Sequence, residues 1–205
     1  MRNAVNEKEI RYLVHFTRIE NLHSIINNGL IPVRFLSEIG NNFYSNDEHR
    51  LDNCTDANCL SIQFPNYKMF YKYRNENPNN KWVVLGIKKD ILWEKDCAFC
   101  IENAAGSRVN SIPLESRKGI DAFNSLYNDY PGRPARDLLG IDKEFPTNPQ
   151  AEVLVFDIIE PRYIWGIAFI NELNKNEYSH IIPSHMKTEV KPELFKYRND
   201  YEYWR

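Results

Sequence analysis

One stretch constrains this chain more than any other: Phe145-Pro146-Thr147-Asn148-Pro149-Gln150-Ala151-Glu152-Val153-Leu154-Val155-Phe156. A loop carrying two prolines gives way at once to an apolar run. Read as a strand, the run sends successive side chains to opposite faces. Glu152, Leu154 and Phe156 then share one face, and Ala151, Val153 and Val155 share the other. A carboxylate at the head of an apolar face is costly unless something pairs with it. Two readings follow: a strand-end glutamate that looks at water, or a catalytic carboxylate at the mouth of a cleft.

The N-terminal third supplies a second fixed point. Arg11 to Phe16 reads as a strand, and Thr17 with Glu20 three residues later spells a capping box for a helix. Ile19, Leu22, Ile25 and Ile26 give that helix one apolar face, and Asn28-Gly29 stops it with a left-handed cap. Leu30-Ile31 returns toward the sheet. His15 and Thr17 fall at the carboxyl edge of the strand, beside a helix N-terminus suited to an anionic ligand. A buried, hydrogen-bonded core histidine is the plain alternative for His15.

Beyond it, residues 33–58 read as a long polar loop with a charged cluster at Asn46 to Arg50. Further strands are expected at Cys59 to Phe64, Trp82 to Ile87, Cys97 to Ile101 and Tyr163 to Ile170, with an edge strand at Tyr178 to Ile182. Short helices are expected at Tyr67 to Arg74, Asp90 to Trp93 and Gly119 to Asn128, the last with Ile120, Phe123 and Leu126-Tyr127 as its apolar face. Glu102 to Lys118 reads as a loop. Asp129 to Gln150 is a second long connection, rich in proline and glycine, which carries Arg133 and Arg136 directly into Glu152. The tail from Glu189 to Arg205 reads as a docked helix or arm.

At 205 residues with a net charge of −2, the chain suits one domain spanning 1–205 and is no plain polycation that holds nucleic acid by phosphate neutralisation alone. Cys97 and Cys100 sit on a strand that turns them to opposite faces, which argues against a zinc knuckle and for reduced structural thiols. The N-terminus is polar, with no apolar signal region, and no run approaches the ~20 residues of a membrane span. A cytoplasmic location, no membrane and a monomer are the expectations. GxGxxG and GxxxxGK[ST] are absent, so neither a Rossmann site nor a P-loop is offered.

Three blocks together resemble the DarT family, bacterial toxins that transfer ADP-ribose from NAD onto DNA bases. They are Leu13-Val14-His15-Phe16-Thr17 with Ile19-Glu20-Asn21-Leu22 and Asn28-Gly29-Leu30, then Cys59 through Phe70, then Pro149-Gln150-Ala151-Glu152-Val153-Leu154-Val155. The resemblance implies an α+β, ADP-ribosyltransferase-like fold: a split central β-sheet with flanking helices around an NAD cleft. It implies Glu152 as the catalytic glutamate and His15, Thr17 and Asn21 as NAD-binding residues. Arg50 is implied as an arginine that touches both NAD and the reacting base. Arg133, Arg136 and Tyr127 are expected at the DNA. The Cys59 to Phe70 block resembles the guanine-modifying branch more than the thymine-modifying one. The implied partners are single-stranded DNA and an antitoxin, a macrodomain protein or another ADP-ribosyl hydrolase, that removes the modification. A role in phage defence fits the same picture.

The residues agree with that chemistry on physical grounds. Cleaving the nicotinamide–ribose bond develops positive charge on the ribose, which a carboxylate stabilises. The same carboxylate can take the proton from a base amine or imide, a role worth about 10²–10⁴-fold. No metal is needed, and the target base must be unstacked, so single-stranded DNA is the expected substrate. The competing readings are the same fold acting on RNA or protein, a non-catalytic NAD- or nucleic-acid-binding module, and, more distantly, a zinc-dependent nuclease.

Overall fold

The computed structural model describes residues 1–39 and 54–205. Seven strands form one sheet: β1 (Tyr12–Arg18), β2 (Ala57–Ile62), β3 (Trp82–Lys88), β4 (Asp96–Cys100), β5 (Glu152–Phe156), β6 (Ile164–Phe169) and β7 (Lys187–Val190). Their spatial order is β4-β5-β2-β1-β3-β6-β7. Every neighbouring pair is antiparallel except β6 with β7, which is parallel.

The join between β1 and β2 is the weak point of this sheet. β1 pairs with β3 along its whole length, from Tyr12–Lys88 to Arg18–Trp82. With β2 it pairs at Leu13–Ile62 and Val14–Ser61. Beyond Val14, β2 pairs with β5 through Leu60–Val153 to Ala57–Phe156. The sheet therefore divides into β4-β5-β2 and β1-β3-β6-β7, fastened at one end and parted at the other. This is the split sheet that the resemblance implied.

Helices lie on the faces and ends: α1 (Arg2–Glu7), α2 (Leu22–Asn28), α3 (Val33–Ile39), α4 (Tyr67–Glu76), α5 (Ile91–Glu94), α6 (Ser107–Asn110), α7 (Gly119–Ser125) and α8 (Glu172–Tyr178). One sheet face carries the main core, where Leu13, Leu60, Val83, Leu85, Val153 and Val155 meet α1, α2 and Phe123 of α7. The other face carries two smaller clusters. One gathers Val14, Phe70, Trp82 and Phe195; the other gathers Ala57, Ala98, Cys100 and Leu154. The alternation read at Val153–Leu154–Val155 is thus the partition of the core between faces. Among the described residues, no helix is long and apolar enough to cross a membrane.

Several local expectations are corrected. Thr17 does not cap a helix: it lies inside β1, paired with Val83, and the chain enters α2 through a 3-10 turn at Ile19–Asn21 without a side-chain cap. Continuous pairing with β3 prevails there over a local cap signal. The stop at Gly29 holds, since Gly29 takes φ +84° and its N–H donates to the Ile25 carbonyl at 2.8 Å. The loop expected over 33–58 opens with α3 and closes in β2, and the loop expected at Glu102 to Lys118 contains α6 and a 3-10 turn at Leu114–Arg117. Ile120, expected on the buried face of α7, is 47% exposed.

No strand forms at Tyr178 to Ile182. Asn171 caps α8, its Oδ1 accepting from the Asn174 N–H at 2.8 Å, and a helix followed by a 3-10 turn runs through Ile181. The strand at this edge of the sheet is β7, which begins at Lys187 and runs two residues into the stretch read as the tail. After β7 the tail is an arm of two 3-10 turns, Pro192–Phe195 and Tyr201–Trp204, with Leu194, Phe195 and Trp204 buried.

Candidate active site

Where β1 and β2 part, a cleft opens. It encloses about 1220 Å³ of space, the open solvent at its mouth included. Its lining includes His15, Thr17, Asn21, Asn58, Ser61, Asn66, Asn103 and Glu152. His15, Thr17, Asn21 and Glu152, four of the residues singled out in the sequence, therefore meet in one cavity.

His15 marks the split itself. Continuing the β1–β2 register would place it beside Leu60, but instead its Nδ1 lies 2.9 Å from the Cys59 carbonyl. A carbonyl can only accept, so Nδ1 carries the proton and donates. An imidazole spans the gap where backbone pairing has stopped. Two residues on, Thr17 shares its side of the strand and is 2% exposed. Asn21, in the turn that follows, donates from Nδ2 to Thr17 Oγ1 at 3.1 Å. This wall is β1 plus the first turn before α2, and Gly29 and Leu30 at the far end of α2 also line the cleft. Gly29 is required there for a second reason: a Cβ would stand 2.2 Å from the Ile159 carbonyl oxygen.

Glu152 heads β5 on the opposite wall. It is 5% exposed, so the water-facing reading fails. Its carboxylate is held at both oxygens. Oε2 accepts from the Ala104 N–H at 2.8 Å, while Oε1 accepts from Asn66 Nδ2 at 3.3 Å and from Asn103 Nδ2 at 3.5 Å. These three donors are neutral and satisfy the buried carboxylate by hydrogen bonds. Behind it in the ladder sits Cys100, paired with Glu152 across β4 and β5. Burial, helped by the Glu152 charge, pushes the Cys100 thiol up to about 12, so it is a neutral thiol. Arg117, itself buried, donates to its Sγ at 3.7 Å.

Asn66, Asn103 and Ala104 were not identified as site residues from sequence. Asn66 reads only as the end of a strand, and Asn103-Ala104 only as part of a loop. The usable signal was the Pro65-Asn66 step before a helix, because Asn is a favoured N-cap.

The remaining expectations place differently. Arg50 lies outside the described residues. Tyr127, Arg133 and Arg136 do not line the cleft. Tyr127 is buried, with its hydroxyl 3.4 Å from the Glu144 carbonyl. Arg136 lies over the Tyr127 ring and donates to Thr147 Oγ1 at 3.0 Å and to the carbonyls of Asp142 and Lys143, each at 3.2 Å. Arg133 is exposed and sits 5.3 Å from the Trp204 ring centre. No disulfide joins the four cysteines, and among the described residues no group of three or more His, Cys, Asp or Glu could hold a metal ion.

A split sheet with a histidine at its parting and a buried glutamate on the opposite wall of the cleft is the arrangement expected of an ADP-ribosyltransferase-like fold. The sequence model described as "ssDNA thymidine ADP-ribosyltransferase, DarT" matches residues 14–198, and the chain belongs to the DarT family. No curated protein matches it closely in sequence. Among solved structures it is similar to Thermosipho africanus DarTG in complex with ADP-ribose, at 20% identity and a TM-score of 0.64, covering 90% of this chain and 51% of that one. It is also similar to Thermus sp. 2.9 DarT in complex with NAD+, at 15% identity and TM-score 0.60, covering 92% of this chain and 98% of that one. The same Thermus protein in complex with ADP-ribosylated ssDNA matches at 15% identity and TM-score 0.58, over 92% and 97%. The chain thus spans about half of the DarTG chain and nearly all of the DarT chain. At these identities the likeness establishes the fold.

Proposed function

We propose that this protein binds NAD in the cleft and transfers its ADP-ribosyl group to a base of single-stranded DNA, with Glu152 as the catalytic carboxylate. The observation that carries the reading is the meeting of His15, Thr17, Asn21 and Glu152 in one cleft. The Thermus DarT structures, solved with NAD+ and with ADP-ribosylated ssDNA, support it by likeness of fold.

In the reaction, the bond between ribose C1′ and the nicotinamide nitrogen breaks, and nicotinamide leaves with the electron pair. Glu152 stabilises the positive charge that develops on the ribose. A nitrogen of the unstacked base forms the new bond to C1′ and gives its proton to the Glu152 carboxylate. His15, Thr17 and Asn21 hold the dinucleotide, and Arg50 supports both NAD and the base. Arg133 contacts the DNA strand, while Arg136 and Tyr127 shape the loop that presents it.

Guanine is proposed as the accepting base on the strength of the Cys59 to Phe70 block, and the thymidine of the family's description is the competing outcome. Modified template bases would block replication, so the enzyme acts as a toxin and pairs with an antitoxin that hydrolyses the ADP-ribosyl group, of macrodomain or other type. Phage defence is the proposed use, and a cytoplasmic monomer the proposed form. Offering labelled NAD with single-stranded DNA, RNA and protein side by side tests the substrate. Label on DNA alone supports the reading; label on RNA or protein with none on DNA replaces it. Digestion of the DNA product to nucleosides then reports modified deoxyguanosine or modified thymidine.

A further inference from the structure

We infer that Asn66 is a positioning residue for the transfer, holding the Glu152 carboxylate in its working direction. The inference rests on the reading of Glu152 as the catalytic group.

Asn66 is 1% exposed, and all its polar groups are engaged. Its N–H donates to Ser61 Oγ at 3.2 Å, and its carbonyl accepts from the Phe70 N–H at 2.9 Å as the first bond of α4. Its Oδ1 caps the helix by accepting from the Met69 N–H at 3.3 Å. That last bond decides the orientation of the amide. With Oδ1 turned to the helix, Nδ2 must point away from it, and it points to Glu152 Oε1 at 3.3 Å. The direction of the catalytic carboxylate is thereby tied to the N-terminus of α4.

Asn103 repeats the device from the other side. Its Oδ1 accepts from the Ala105 N–H at 2.9 Å, which turns its Nδ2 toward the same Glu152 oxygen at 3.5 Å. Each asparagine uses its carbonyl on local backbone and its NH₂ on the carboxylate. The chemistry selects an amide. Lysine or arginine would cancel the charge needed to stabilise the ribose cation. Serine or aspartate would cap the helix as well as asparagine does, but neither presents an NH₂ to Glu152. Capping alone therefore does not require asparagine, whereas capping and donation together do.

The cap and the donor can be separated by substitution. Asn66→Ser and Asn66→Asp both keep an acceptor for the Met69 N–H. The first withdraws the donor, and the second turns a carboxylate oxygen toward Glu152, where like charges repel. Thermal unfolding, NAD binding by titration calorimetry, and kcat and KM for NAD with a single-stranded oligonucleotide are measured for both, with Glu152→Ala in parallel. The expected result is that Asn66→Ser folds and binds NAD like the parent while kcat falls about 10²-fold, the scale on which a small misplacement of a reacting group is felt. Asn66→Asp loses at least as much. Wild-type kcat in Asn66→Ser, or a loss confined to stability or to KM, makes Asn66 a helix cap only and overturns the inference. Retained activity in Glu152→Ala overturns the underlying reading instead, so the two failures are distinguishable.

Discussion

His15 donates through Nδ1 to the Cys59 carbonyl at 2.9 Å, at the point where the β1–β2 ladder ends. One side chain thus bridges the two half-sheets and forms part of the cleft wall. His15→Ala removes the bridge. A single hydrogen bond contributes about 1 kcal/mol to stability, so the variant should fold with a modest drop in melting temperature. Its KM for NAD should rise about tenfold, the equivalent of about 1.4 kcal/mol of lost binding. His15→Asn, which can place an N–H close to the position of Nδ1, should recover most of the stability.

Gly29 ends α2 and faces the chain at Ile159. The Leu30 N–H donates to the Ile159 carbonyl, and the Ile159 N–H donates back to the Leu30 carbonyl, each at 2.9 Å. An alanine here meets both a φ of +84° and a Cβ 2.2 Å from that same carbonyl oxygen. Gly29→Ala should therefore destabilise by more than about 2 kcal/mol. Chemical denaturation reads it as a lower midpoint with unchanged slope.

The arm after β7 reaches back to the loop that feeds Glu152. Arg198 donates to the carbonyls of Pro146 and Thr147, both at 2.8 Å, and forms a two-point pair with Asp200, whose Oδ2 also accepts from Trp204 Nε1. Arg198 is 4% and Asp200 2% exposed. Asp200→Ala would leave a buried cation without its carboxylate, a loss of about 3–5 kcal/mol. Replacing Arg198 and Asp200 together by methionine and leucine should cost less than Asp200→Ala. Equilibrium unfolding of both variants checks that ordering.

Arg133 and Arg136 are close in sequence and differ in circumstance. Arg136 is tied to Thr147, Asp142 and Lys143 within its own loop, whereas Arg133 is exposed over Trp204. Arg133→Ala should weaken single-stranded DNA binding, lower the salt slope by about one phosphate contact and leave NAD affinity and melting temperature unchanged. Arg136→Ala should lower the melting temperature. Fluorescence anisotropy at several salt concentrations, alongside thermal unfolding, separates the two.

Much of this was legible in the sequence, and what was not has physical causes. β1, β3, β5 and β6 carry apolar content or alternation strong enough to be read directly, and the faces assigned around Glu152 are those observed. The Thr17 signal misled because long-range pairing with β3 prevails over a local cap. The expected strand at Tyr178 to Ile182 failed because the Asn171 cap, about two helical turns earlier, was passed over. Asn66 and Asn103 were invisible as site residues because their role depends on contacts 86 and 49 positions away along the chain. No local pattern carries that. Tyr127, expected both on the apolar face of a helix over Gly119 to Asn128 and at the DNA, lies in the core just past the end of α7, where burial pushes its hydroxyl well above the usual phenol range.

The central claim is that Glu152 performs the transfer of ADP-ribose to a DNA base. Its most direct test is mass spectrometry of a single-stranded oligonucleotide incubated with NAD and either the parent protein or Glu152→Ala, with NAD binding confirmed for both. The account predicts one ADP-ribosyl group on a base with the parent and unmodified DNA with the variant. Unmodified DNA with the parent, or equal modification by Glu152→Ala, would contradict it.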